Sequence, residues 1–282
     1  FVRAAGSPMQ DRPSPTGQPD RLDAQALRAA LLDPASAGPV SLEVAWSVDS
    51  TNAELWRRSP VPGWEILLAE QQTAGRGRLG RSWVSPLSSQ VCMSLRGRFA
   101  GGLAQLEGLS LVAGVALSEA LRGLGFRQVG LKWPNDVLAD GCKLAGVLVE
   151  CRGERDGPVQ VVVGIGVNVS LPQITSLAID QPWTDLARLA DDGAPPSRNA
   201  VAIAVLQHLL EALACFEREG LAPFLARYAD LEVLAGRQVR VLAGRRIVEG
   251  RALGLAGDGG LRVATEVGEQ VFHGGEVSVR AR

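Results

Sequence analysis

Three runs rich in Val, Ile and Leu stand close together in this chain: QVGLKW from Gln128, CKLAGVLVEC from Cys142 and VQVVVGIGVNV from Val159. Residues of this kind pack well on a pleated surface, so the runs read as strands. The charged, glycine-containing segment RGERDGP joins the last two as a hairpin. A chain with this centre has to bury a sheet, and long apolar helices to cover it flank the runs. One is read in LAQLEGLSLVAGVALSEALRGLG, closed by Gly123 and Gly125, and another from about Arg198 to Tyr228.

Around this centre, LDAQALRAALL (Leu22 to Leu32) has helical spacing and is stopped by DPASAGP. SLEVAWSV alternates as a strand, and DSTNAELWRR follows as a short helix that Asp49, Ser50 or Thr51 can cap. WEILLAE and SSQVCMSLRG read as further strands. Beyond Glu232 the texture changes to short strands punctuated by glycine: RQVRVLAG, RRIVEGRALGLA, GLRVATE, EQVFHGG and EVSVR. Such spacing suggests a small barrel of SH3 or OB type. The expected organisation is a poorly ordered leader over 1–40, an α+β domain over 41–231 and a β module over 232–282.

WEILLAE leads into AEQQTAGRGRLGRSW, where Gly75, Gly77 and Gly80 fall on the G-x-G-x-x-G spacing of a dinucleotide turn. That turn needs a helix directly after its last glycine and an acidic residue about 20 positions on. Here Gly80 is followed by RSWVSPLSSQ, and no Asp or Glu occurs between Gln71 and Leu106, while Arg76, Arg78, Arg81, Arg96 and Arg98 all do. The dinucleotide reading fails on context. A glycine loop with exposed amides and guanidinium groups instead suits an anion of spread charge, such as a polyphosphate or an acyl phosphate. A solvated basic loop, or a nucleic-acid contact with Arg beside Trp83, would carry the same residues.

Three other stretches bear on the choice. KWPND (Lys132 to Asp136) gathers Lys, Trp, Asn and Asp about a proline that forces an extended or turned backbone. Lys143 enters an apolar strand, where an unpaired ammonium is costly, so it either reaches solvent or meets a negative ligand. Asn168 in GIGVNV needs hydrogen-bond partners, which a ligand or a bulged backbone can supply.

With SVDSTN, AEQQTAGRGRLGRSW, KWPNDV, KLAGVLVE and GIGVN in this order and at these separations, the chain resembles the biotin protein ligases. The resemblance runs from about residue 42 to the C-terminus and takes in FEREGLAPFLARY and the closing GGEVSVR. It implies a mixed or antiparallel sheet with flanking helices, similar to class II synthetases, plus a small C-terminal SH3-like β-barrel. It also implies ATP-dependent activation of biotin to biotinyl-5'-AMP, followed by transfer of the acyl group to a lysine of a biotin carboxyl carrier protein. Mg²⁺ is expected with ATP, although no residue is assigned to a metal. Neither step needs a covalent enzyme nucleophile, and the sequence offers none. Lipoate-type acyl ligases share the fold but are not expected to combine this arginine loop with KWPND.

Carried over by position, Ser50, Thr51, Asn52 and Gln72 would line the biotin ureido pocket. Gly75, Arg76, Gly77 and Arg78 would form the loop over biotin and its adenylate, and Gly146 and Val147 would wall the pocket. Lys143 would bind the biotin carboxylate or the α-phosphate. Asp136 would orient or deprotonate the incoming lysine, with Mg²⁺ binding as a competing role. Trp183 would pack on adenine, Asn168 and Asn135 would lie on the nucleotide side, and Lys132 and Arg81 would help with pyrophosphate. Leu79 stands where some members carry another arginine, and TAG rather than QAG precedes Arg76. The segment before residue 41 is too short for the winged helix-turn-helix of bifunctional members, so no DNA binding is expected.

The formal net charge of -1 gives no global attraction to nucleic acid or an anionic membrane. No run approaches the roughly 18 to 20 uninterrupted apolar residues of a membrane span. Cys92, Cys142, Cys151 and Cys215 are scattered without C-x-x-C, and read as reduced, mostly buried thiols of a cytoplasmic protein. A homodimer is compatible with the sequence without being specified by it.

Overall fold

The computed structural model describes residues 20–31, 39–191, 194–244, 246–274 and 277–281. Most of the leader expected over 1–40 lies outside them. In chain order the elements are α1 (Ala24–Ala30), β1 (Val40–Val48), α2 (Thr51–Arg57), β2 (Trp64–Arg76), β3 (Ser82–Ser85), β4 (Gln90–Phe99), α3 (Leu109–Gly123), β5 (Val129–Lys132), β6 (Asp136–Ala139), β7 (Cys142–Gly153), β8 (Val159–Asn168), α4 (Leu186–Leu189), α5 (Arg198–Glu219), α6 (Ala222–Ala229), β9 (Gln238–Ala243), β10 (Arg246–Leu255), β11 (Leu261–Thr265), β12 (Gly268–Phe272) and β13 (Val277–Ala281).

The main sheet runs β1-β2-β4-β8-β7-β6-β5, with β3 paired to β2 beyond a bulge. The β1–β2 pair is parallel and its other neighbours are antiparallel, so the sheet is mixed. Side chains alternate across a strand, and here the two faces differ in kind. Val159, Val161, Val163, Ile165 and Val167 of β8, with Val91, Met93, Leu95 and Phe99 of β4, join the large core that includes residues of α3 and α5. The opposite face of the same strands presents Gln90, Cys92, Ser94 and Arg96, and then Val162, Gly164, Gly166 and Asn168. On that side Val162 packs with Leu55 of α2 and Leu67 of β2 in a second, smaller cluster.

The first long helical run is interrupted: Leu103–Leu106 forms a 3₁₀ turn, and Gly108 takes a left-handed φ of 83° before α3 begins. Leu221 packs so close to Gly108 that a Cβ there would lie 2.7 Å from its side chain. The second run breaks at Gly220 (φ 68°) into α5 and α6. By length and mean hydropathy, the stretches 103–123 and 198–219 could each cross a membrane, but half or more of each apolar window is buried inside the protein.

The C-terminal strands pair antiparallel in the order β12-β11-β10-β9-β13. Among the described residues this sheet is open and no closed barrel forms. It joins the main hydrophobic core through Val239, Val241, Ala252, Leu261 and Val263, and hydrogen bonds of the linker and of Trp133 add to this. The main-chain N–H groups of Leu131 and Val233 donate to the carbonyls of Leu231 and Leu131, at 2.7 and 2.9 Å, and the buried Trp133 donates its Nε1–H to Gly259 O at 3.0 Å. Only Cys92 of the four cysteines is buried; Cys142 and Cys215 are half-buried and Cys151 is exposed, correcting the expectation of mostly buried thiols.

Glu232 is half-buried where the linker passes β5; its Oε1 meets no partner, and burial pushes its carboxyl pKa up. The folded form therefore holds this proton to higher pH than the unfolded chain does, and stability falls as pH rises through that window. Glu232→Gln is expected to raise Tm at neutral pH, with the gain vanishing as pH falls below the ordinary carboxyl range. Thermal unfolding from about pH 4 to pH 8 checks this; equal Tm values at neutral pH would contradict it.

Candidate active site

The polar face of the main sheet carries a cleft of about 480 Å³, including space open to solvent. Its floor follows from strand register. Gly166 of β8 pairs with Gly146 of β7 on one side and Cys92 of β4 on the other, and Gly164 pairs with Leu148 and Ser94. A Cβ on Gly164 would sit 2.2 Å from Asn52 Oδ1, and one on Gly166 would sit 2.5 Å from the Trp83 indole. These two positions need glycine because Asn52 and Trp83 lie flat on the sheet.

Ser50 starts α2 by accepting from the Ala53 N–H, as an N-cap residue does. Thr51 donates its main-chain N–H to Gln72 Oε1 at 2.8 Å and its hydroxyl to the same oxygen at 3.1 Å. The Ser94 hydroxyl lies 2.7 Å from Thr51 Oγ1 and 2.5 Å from Asn52 Oδ1. Asn52 Nδ2 donates to Glu150 Oε2 at 2.8 Å. This end of the cleft is a set of neutral donors and acceptors with fixed directions.

The other end is charged. Arg76 closes β2 and donates Nη2–H to both Glu150 oxygens at 3.1 and 2.9 Å. Gly77 N–H donates to Arg81 O at 2.7 Å and Leu79 takes a left-handed φ of 57°, so residues 77–81 form a compact turn between β2 and β3. Arg78 reaches back from it to Asn135 Oδ1 at 3.0 Å, and Asn135 donates to Val147 O at 2.7 Å. Burial lowers the Arg78 pKa, an effect that Asp136 opposes and Arg81 reinforces. Lys143 Nζ is 2.6 Å from Asp136 Oδ1 and 5.7 Å from the centre of the Trp83 ring. Lys132 and Asp136 pair across the β5–β6 hairpin, whose turn is the Pro-Asn part of KWPND.

Ser50, Thr51, Asn52 and Gln72 therefore share one cleft with Arg76, Gly77 and Arg78, and with Asn135, Lys143, Gly146 and Val147. Asp136 touches it through Lys143. Gly75 is buried beneath the Trp83 backbone, where a Cβ would lie 2.5 Å from Trp83 O, so it shapes the hairpin instead of facing the cleft. Arg81 is exposed at the outer side of the turn. Asn168 ends β8 beside the segment that carries Trp183. It is buried off the cleft, and its amide is committed to Gln90 and to the carbonyls of Thr184 and Lys143. Trp183 forms an isolated bridge with Lys143, but the Arg188 guanidinium stacks 3.8 Å over its ring. Ser94 and Glu150 complete the site without having been singled out, and Trp83, named in the sequence only as a neighbour of the arginine loop, lies against Gly166. Among the described residues no three His, Cys, Asp or Glu side chains cluster as a metal site.

The Biotin/lipoate A/B protein ligase family matches residues 44–168, and the biotin protein ligase C-terminal domain matches 235–280. The chain is 37% identical over 257 residues to the biotin acetyl-CoA-carboxylase ligase of Mycobacterium tuberculosis, covering 88% of this chain and 91% of the relative. The chain belongs to the biotin protein ligase family. It is also 36% identical over 242 residues to the bifunctional ligase/repressor BirA of Escherichia coli, covering 86% of this chain and 74% of that one. The biotin protein ligase of Aquifex aeolicus in complex with biotin and ATP superposes with a TM-score of 0.73 at 31% identity, covering 86% of this chain and 99% of that chain.

Gly166→Ala is expected to force Trp83 off the sheet of this biotin protein ligase fold and to cost about 1–3 kcal/mol by overpacking. Gly123→Ala, at the end of α3 with open space around its Cβ, should be neutral or slightly stabilising. Thermal unfolding of the two variants distinguishes them; similar Tm values would contradict the account of the cleft floor.

Proposed function

We propose that this chain activates biotin with ATP to biotinyl-5'-AMP and transfers the biotinyl group to a lysine of a biotin carboxyl carrier protein, using this cleft for both steps. One observation carries the reading: a neutral, hydrogen-bonding end and a cationic end meet in a single cleft. The ureido ring, a neutral donor and acceptor, fits beside Ser50, Thr51, Asn52 and Gln72. The carboxylate then points toward Lys143 and Arg78, where the phosphate chain would also lie.

In the first step a biotin carboxylate oxygen bonds to the α-phosphorus of ATP, and the bond to the departing pyrophosphate breaks with its electron pair. In the second, the amine of the carrier lysine attacks the acyl carbon, loses a proton, and releases AMP. Both steps build charge on phosphate oxygens, and pre-placed cations and N–H donors stabilise such charge most. Lys143, Arg76 and Arg78 each hold a protein partner, Asp136, Glu150 and Asn135 respectively, and anionic oxygens of the substrate would take the place of those partners. Freed from Lys143, Asp136 becomes available to accept a proton from the incoming amine. The chemistry of the donor set also fits Mg²⁺ brought by ATP, since that ion commonly takes one carboxylate and fills its shell with phosphates and water. Asp136 would be that carboxylate, a role that competes with accepting the proton of the amine.

Trp183, bridged to the main chain of Lys143, is placed on the adenine side of this reading, with Lys132 and Arg81 toward pyrophosphate. We assign no DNA contact to the loop, because Arg76 and Arg78 turn into the cleft. A cytoplasmic location and activity as a monomer or a homodimer complete the proposal. A lipoate-type specificity is the runner-up, and competition between biotin and lipoate in the adenylation assay separates them.

Purified protein with ATP, Mg²⁺ and biotin should release pyrophosphate and label a carrier domain; failure of both would sink the reading. Lys143→Ala is expected to lower kcat/KM for biotin-dependent pyrophosphate release by at least about 100-fold, the usual loss when one pre-placed donor is removed. Arg78→Ala should keep the fold and lose intermediate retention, read as biotinyl-5'-AMP appearing free in solution. An Arg78→Ala enzyme that retains its intermediate like the parent would argue against that role.

A further inference from the structure

Arg96 is a buried guanidinium that follows Ser94 by two residues on β4, and alternation puts both on the face of the sheet that carries α2. It lies outside the lining of the cleft. Its Nη1 donates to Leu55 O at 2.5 Å and to Arg58 O at 2.8 Å. Its Nη2 donates to Ser59 O at 2.7 Å and to the Glu65 carboxylate. The other oxygen of Glu65, on β2, lies 3.5 Å from the Arg58 guanidinium. Arg96 and Glu65 are only 4% and 8% exposed.

This arrangement meets a need of the helix. α2 has seven residues, too few to stand on helix propensity alone, and the carbonyls of its last turn find no N–H within it. Leu55 O is one of these, and Arg58 O and Ser59 O lie just past the end. A guanidinium holds its donors in one rigid plane, so a single side chain fixes three carbonyls relative to β4 while Glu65 balances its charge. The pairs of Arg57 with Asp49 and Glu54 are at the surface, where ion pairs hold little. β4 thus grips α2 at both ends, through Ser94 at Thr51 and Asn52 and through Arg96 at the C-terminal end. At 1.5 Å per residue the helix is about 10 Å long, so a displacement at one end is carried to the other.

We propose that Arg96 is a positioning residue for the neutral end of the cleft: its clamp on the C-terminal end of α2 holds Thr51 and Asn52 where the ureido ring binds. The functional half of this claim rests on the reading that this end takes biotin. Loss of the clamp lowers the fraction of molecules with α2 in place, which weakens biotin binding in proportion and leaves the chemistry of the bound state intact.

Arg96→Lys tests the claim because it keeps a cation beside Glu65 while removing the fork that spans the carbonyls. Glu65→Gln is the second variant: it leaves the fork and removes its counter-charge. Hydrogen exchange of the peptide spanning 51–59 should be at least about tenfold faster in Arg96→Lys, with exchange in α3 unchanged. KM for biotin should rise at least about fivefold, with kcat within about twofold of the parent and KM for ATP nearly constant. Glu65→Gln should shift both readouts in the same direction by less. Unchanged exchange at 51–59 in both variants would overturn the clamp. Faster exchange with an unchanged KM for biotin would overturn its link to the site. Asn52→Ala tests the underlying reading separately: a normal KM for biotin in that variant removes the ureido ring from this end and the functional half with it, and exchange in Arg96→Lys still decides whether the clamp exists.

Discussion

An ammonium group on the wall of an apolar sheet is tolerable only with a counter-charge, and the 2.6 Å pair between Lys143 and Asp136 supplies it. Both side chains are less than a fifth exposed. The pair places a cation at the meeting point of β7, the KWPND turn and the 182–184 segment, and much of the site is arranged around it. Asp136 reaches Lys143 because the β5–β6 hairpin turns over Pro134. That hairpin is in turn anchored through Trp133 to Gly259 of the C-terminal sheet. The small sheet thus contributes to the site by holding the turn that carries the counter-ion.

The division of labour between the two faces of the main sheet explains how a stable protein can carry such a site. One face is continuous with the packed helices α3 and α5 and supplies the bulk of the burial. Among the described residues the other is covered by α2, the β2–β3 hairpin and the 182–184 segment, so a trough is left wherever side chains are small. Gly164 and Gly166 make that trough, and Asn52 and Trp83 occupy its floor. Two of the three cations at its charged end pair with the carboxylates of Asp136 and Glu150, and Arg78 with the neutral amide of Asn135, which leaves a net positive charge there for an anionic substrate.

Much of this was legible in the sequence, because turn and loop residues carry local signals. The cap at Ser50, the arginine hairpin, the KWPND turn and Lys143 carry such signals, and the fold brings them to one cleft. The residues that were not read lie inside strands. Ser94 and Gln90 sit in a run taken simply as a strand, although Gln90, Cys92, Ser94 and Arg96 alternate with apolar neighbours and so mark a polar face. Glu150 follows an apolar strand by one step, and only the register of β7 against β8 brings it to Arg76. Asn168 was given to the nucleotide by resemblance. Its bonds to Lys143 O and Thr184 O are those the alternative, an amide bonded to backbone, calls for, and they come from segments distant in sequence that no local pattern announces.

The central claim is that one cleft holds the biotinyl and adenylyl halves of a single intermediate. Titration of the purified protein with a non-hydrolysable biotinyl-5'-AMP analogue in a calorimeter tests it most directly. The account predicts one site per chain and an affinity far above that of biotin or ATP alone, because both halves are held with a single loss of translational freedom. An affinity no tighter than that of the better single half would contradict it.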